Sequence, residues 1–119
     1  MTFGAYIRDM RQNRDISLRS LADRLGIAPA YLCDVEYDRR SPFGMDKLKK
    51  LSDILVLSKE EKNTMYDLAG QMRNTAPPDI IDYVIKRDYV SHALRIAKDL
   101  GAGENEWQWF VEYLKRKGD

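Results

Sequence analysis

Residues 17–36 read Ser17-Leu18-Arg19-Ser20-Leu21-Ala22-Asp23-Arg24-Leu25-Gly26-Ile27-Ala28-Pro29-Ala30-Tyr31-Leu32-Cys33-Asp34-Val35-Glu36, and their spacing describes two short helices joined by a sharp turn. Ser17 is a helix N-cap, because its hydroxyl accepts one of the amide hydrogens left free at a helix start. Leu18, Leu21, Ala22 and Leu25 recur at helical spacing and make one apolar stripe. Gly26 follows at once and suits the left-handed position that ends a helix. Pro29 fits the first turn of the next helix, where its missing N–H would have no partner anyway. Ile27, Leu32 and Val35 point inward and fix the angle between the two helices. Ala22 lies at their crossing, where a larger side chain would push them apart.

Upstream, Thr2 caps a helix with apolar Phe3, Tyr6, Ile7 and Met10, and with Arg8, Arg11 and Arg14 on or beside its polar face. Downstream, the polar loop Asp38-Arg39-Arg40-Ser41-Pro42 ends the third helix, and Asp38 tolerates a left-handed backbone. A fourth helix is expected from about Gly44 to Leu55, with Met45, Leu48, Leu51, Ile54 and Leu55 inward. Ser58-Lys59-Glu60-Glu61 is a capping box opening a fifth helix that buries Met65, Leu68 and Ala69. Pro77 and Pro78 mark residues 73–78 as a linker between a first unit, 1–72, and a second, 79–119. In the second unit, apolar residues from Ile80 to Leu100 predict one helix. Trp107, Phe110, Val111 and Leu114 predict another beyond the Gly101-Ala102-Gly103 break.

Composition bounds the chemistry. The 119 residues suit one small domain with an appendage, and Gly and Pro are sparse at 7 and 4. No apolar run approaches the roughly 20 residues of a membrane span, and the start is no signal peptide, so a cytoplasmic protein is expected. Cys33 has no partner for an internal disulfide, and Cys33 with His92 cannot supply a zinc site of ordinary spacing. Gly-rich phosphate loops and nucleophile elbows are absent, so neither an enzyme nor a cofactor is expected. The net charge is +1, with 20 basic against 19 acidic residues, so any affinity for nucleic acid must come from where the basic residues lie.

The segment Ser17–Glu36 closely resembles the helix-turn-helix of the XRE (phage repressor and Cro-like) family, and with its flanking helices the resemblance covers residues 3–70. It implies an all-α protein: a five-helix phage-repressor-like domain, here followed by a C-terminal helical hairpin. It also implies a sequence-specific double-stranded DNA-binding regulator whose second helix of the motif enters the major groove. The reading face would then be Pro29, Ala30, Tyr31, Cys33 and Asp34, with phosphate contacts from Arg19, Arg39, Arg40 and Lys47. Family register pairs Arg11 with Glu36 as a structural tie between the first and third helices. This chain departs from the family pattern at Ala28, where a polar cap is usual, and at Asp38, where Gly is frequent. Its reading face also lacks the Arg, Lys, Asn or Gln that make bidentate base contacts, which shifts weight to thymine-methyl contacts and DNA shape.

The second unit carries more apolar surface than a hairpin buries against itself. Tyr89, Val90, Leu94, Ala97, Trp107, Phe110, Val111 and Leu114 are its interface candidates. A homodimeric repressor reading two half-sites is the main expectation. The rival is an antitoxin-like protein whose tail clamps a partner protein, and a third reading keeps the fold as a pure protein-binding module.

Overall fold

The Thr2 hydroxyl accepts the Ala5 amide at 3.1 Å and opens α1 (Phe3–Asn13). The structure, a computed structural model, describes residues 1–118. Ser17 opens α2 (Leu18–Leu25) through the Ser20 amide at 3.0 Å, and Gly26 closes it at φ 75°. Pro29 is the first residue of α3 (Pro29–Glu36), which starts without a side-chain cap because its N-cap residue is Ala28. Gly44 precedes α4 (Met45–Ile54). The capping box forms as Ser58 and Glu61 exchange bonds at 2.8 and 3.1 Å, starting α5 (Lys59–Arg73).

One apolar core joins these five helices. Phe3, Ile7, Leu21, Ala22, Leu25, Leu32, Val35, Leu48, Leu51, Leu55, Met65 and Ala69 are all buried in it. Two close approaches set the packing. Gly4 lies so near the end of α3 that a Cβ there would meet the Val35 carbonyl at 2.3 Å and the Glu36 carbonyl at 2.5 Å. Asp38, at φ 60°, turns its Oδ1 back to accept the Gly4 amide at 3.0 Å. At the other end, the Arg73 guanidinium donates to the carbonyls of Pro42 and Phe43, the latter at 2.7 Å, and holds the α3–α4 loop against α5.

The apolar run from Ile80 to Leu100, expected as one helix, is two: α6 (Pro78–Ile85) and α7 (Asp88–Leu100). The break has a local cause. Arg87 is extended at φ −140°, and its guanidinium donates to the Tyr83 carbonyl at 3.0 Å while lying 3.9 Å from the Tyr83 ring centroid. Those bonds close α6, and Asp88 then begins α7 where a helix favours negative charge. A last helix, α8 (Glu104–Gly118), follows the Gly101 turn at φ 70°. The chain divides into two compact units, Met1–Asp82 and Tyr83 onward, so the boundary falls inside α6. Much of the segment read as a linker belongs to the first unit's packing: Arg73 is still in α5, Pro78 is buried, and a Cβ on Gly70 would meet the Ala76 carbonyl carbon at 3.0 Å.

Candidate nucleic-acid interface

A recognition surface needs one helix held at a fixed angle with one face free. Leu21, Ala22 and Leu25 of α2 and Leu32 and Val35 of α3 are buried, which fixes the two helices against each other. Beneath them, Arg11 Nε meets Glu36 Oε2 at 2.7 Å and Arg11 Nη2 meets Glu36 Oε1 at 2.9 Å. Arg11 also donates to the Ile16 carbonyl at 3.0 Å, so a single guanidinium ties α1, the α1–α2 turn and α3. Its hydrogen bond to Glu36 holds the Arg11 pKa above the ordinary arginine range. Arg11 therefore does not lie on the polar face of α1: it is buried, because Glu36 neutralises it there.

The outward side of α3 is graded. Pro29 and Ala30 are exposed at its start. Tyr31 is half-buried against Phe43, with ring centroids 5.8 Å apart, and the Arg40 guanidinium lies 5.4 Å from the Tyr31 ring. Cys33 and Asp34 are half-buried as well. Asp34 Oδ1 binds Arg39 Nε at 2.9 Å, and Arg39 Nη2 lies 3.7 Å from Cys33 Sγ. Two residues read separately from the sequence, one for bases and one for phosphates, are thus partners of each other.

The other cations lie outside that pair. Arg19 is exposed in the first turn of α2 and lines a surface cleft of about 510 Å³ with Ser17, Ser20, Asp23, Ile27 and Pro29. Lys47 is exposed in the first turn of α4. Arg8, which the sequence reading placed only on a polar face, donates to the Glu36 carbonyl at 3.1 Å and lies 4.6 Å from the Tyr37 ring centroid. The Arg39 guanidinium lies 5.4 Å from that same ring. No local pattern announces this grouping, since Arg8 reaches it from another helix.

Residues 7–61 match the helix-turn-helix family. That stretch is a domain of the helix-turn-helix family. Two uncharacterized HTH-type transcriptional regulators of Mycobacterium tuberculosis, from strains CDC 1551 / Oshkosh and ATCC 25618 / H37Rv, are each 32% identical to this chain over 82 residues, or 69% of it. The chain spans 56% of the length of each of these relatives. A chain of a solved SinR protein/SinI protein complex is 23% identical, with a TM-score of 0.49 and coverage of 99% of this chain and 100% of that one.

Beyond the helix-turn-helix domain, α7 and α8 have no buried residue in either helix. Val90 and Ala97 are half-buried, whereas Tyr89, Leu94, Trp107, Phe110, Val111 and Leu114 are exposed. Trp107 meets Phe110 edge-on at 6.3 Å, and Trp109 stacks on Tyr113 at 5.7 Å. Ala93, Ala97, Ala102, Trp107 and Phe110 line an apolar groove of about 590 Å³. Among the described residues, no cluster of His, Cys, Asp or Glu is arranged to hold a metal ion, and no helix is long and apolar enough to cross a membrane.

Proposed function

We propose that this protein is a sequence-specific double-stranded DNA-binding transcriptional regulator that acts as a homodimeric repressor. The observation that carries the reading is the locked pair of helices. The apolar core and the Arg11–Glu36 tie hold α3 rigid and its start is exposed; Arg19 shares a surface cleft with Pro29, Arg40 lies by the Tyr31 ring, Arg39 pairs with Asp34, and Lys47, exposed in α4, is the fourth phosphate contact of the proposal. A rigid helix about 10–12 Å across fits a major groove about 12 Å wide, while cations beside it bind phosphates and supply much of the affinity. Sequence reading would fall to Pro29, Ala30 and Tyr31, through thymine methyls and groove shape. Dimerisation through α7 and α8 would present two copies of α3 to two half-sites.

The test is selection of bound fragments from sheared genomic DNA by the purified full-length protein, with sedimentation to count protomers. Enrichment of a two-fold symmetric site supports the reading. Recovery of no fragment above background at low salt overturns it.

One observation favours a second reading, in which the tail clamps another protein and promoter binding is secondary. Helix α8 exposes two tryptophans, while α3 offers no Arg, Lys, Asn or Gln for base contacts. Copurification of one partner at fixed stoichiometry, lost on replacing Trp107, separates that reading from self-association.

A further inference from the structure

Tyr37 is more than half exposed at the end of α3, and two guanidinium groups gather on its ring: Arg8 from α1 at 4.6 Å and Arg39 from the following loop at 5.4 Å. Bringing two like charges to one exposed ring is unfavourable unless something offsets it. The ring face offsets part, since each cation is attracted to its quadrupole. Asp34 offsets Arg39 with an ion pair at 2.9 Å. Arg8 has no such relief: its bond is to the neutral Glu36 carbonyl, and no described carboxylate lies within ion-pair distance of it.

The position of this group matters as much as its charge. Tyr37 follows the last residue of α3 directly, and the Glu36 carbonyl that Arg8 holds is the last of that helix. The two cations therefore sit at the C-terminal end of the proposed reading helix, both against the Tyr37 ring. An immobilised guanidinium loses less rotamer freedom when it binds, and its fork matches phosphate oxygens. We propose that Arg8, Tyr37 and Arg39 form one DNA-backbone-binding platform, with the tyrosine ring presenting both guanidinium groups to phosphates that flank the groove occupied by α3. The platform rests on the DNA-binding reading, and it adds to it a contact from α1 and a role for Tyr37 as a positioning residue.

The experiment uses the full-length protein and a random-sequence 30-base-pair duplex, followed by fluorescence anisotropy across a potassium chloride series. Arg8→Gln keeps a donor for the Glu36 carbonyl and removes the charge. It should bind several-fold more weakly and lower the slope of log K against log salt by about one unit, the value of one phosphate contact. Tyr37→Leu keeps both charges and removes the ring, so it should weaken binding while leaving most of the slope. Thermal melting of each variant separates these effects from loss of fold. Should Arg8→Gln remain folded and match the parent in affinity and slope, the platform is overturned while DNA binding stands. A parent protein that shows no salt-dependent binding overturns the DNA reading itself.

Discussion

The Glu36 carboxylate receives the Arg11 guanidinium through two bonds, at 2.7 and 2.9 Å, with both residues buried. Charges so enclosed are costly to orphan. Glu36→Ala leaves a buried guanidinium without its counter-charge and should destabilise the fold by about 3–5 kcal/mol. Chemical denaturation of the parent and the variant measures this. A change within about 0.5 kcal/mol, the usual range at an exposed site, would show that the pair does not hold α1 to α3.

Gly4→Ala tests the approach of α1 to α3. Alanine favours helix by about 1 kcal/mol over glycine, so an open site would be stabilised. Here the new methyl would meet the Val35 and Glu36 carbonyls at 2.3 and 2.5 Å, and both are backbone atoms within a packed end. Net destabilisation of about 1–3 kcal/mol is expected, as for other overpacked sites. A rise in melting temperature would refute the close approach.

The capping box gives a pH dependence. The Ser58 amide at 2.8 Å, and behind it Arg14 at 3.1 Å, favour the charged form of Glu61 and hold its pKa below the usual carboxylate range. A carboxylate depressed in the folded state contributes stability above its unfolded pKa of about 4.3, and that contribution is lost as pH falls through the lower folded value. Glu61→Gln should therefore lower stability at pH 7 and remove part of the acid-side decline below about pH 5. Equal differences between parent and variant at pH 7 and at pH 2.5 would contradict this.

Local signals were legible and long-range ones were not. Thr2, Ser17, Gly26 and the Ser58–Glu61 box act within a few residues of themselves, so their caps and turns are present in the sequence pattern. The break at Arg87 escaped detection because the apolar spacing runs on through it, and what ends α6 is one guanidinium folding back on Tyr83. Gly4 looks like an ordinary weak helix residue until α3 lies against it. Phe43 and Arg73 are similar: a ring under Tyr31 and a cation on the α3–α4 loop are defined by partners far along the chain. At the candidate site, register indicated the exposed start of α3, whereas the Asp34–Arg39 bond and the cations on the Tyr37 ring depend on side-chain geometry that no periodicity encodes.

Asp34 offers a sharp contrast of roles. An acceptor for a cytosine amine would be free, but Asp34 is engaged with Arg39 and would face phosphates on DNA. Asp34→Ala removes that repulsion and releases Arg39, so affinity for a random duplex should rise several-fold and the salt slope should steepen by up to about one unit. The exposed pair itself is worth only about 0–1 kcal/mol, so the melting temperature should change little. If the variant instead kept its random-duplex affinity and lost preference at a single base pair in a selected site, Asp34 would be a base reader.

Neither α7 nor α8 buries a residue in the single chain, and Trp107, Phe110, Val111 and Leu114 remain 41–47% exposed. Apolar patches larger than a few hundred Å² are uncommon on monomers, and a two-fold pairing of α7 and α8 with their copies is the simplest way to cover one. Sedimentation of the full-length protein at tens of micromolar should give a dimer, and Trp107→Asp should dissociate it. Truncation after Asp82 keeps Arg73 on the Pro42 and Phe43 carbonyls and keeps Pro78 buried, so the first unit should remain folded. That fragment should sediment as a monomer and bind a single half-site weakly, because two half-sites one turn of DNA apart, about 34 Å, require two linked copies of α3. A full-length monomer would remove the dimer from the mechanism and leave the exposed faces of α7 and α8 to a different protein. A dimeric fragment would move the pairing surface into the helix-turn-helix domain.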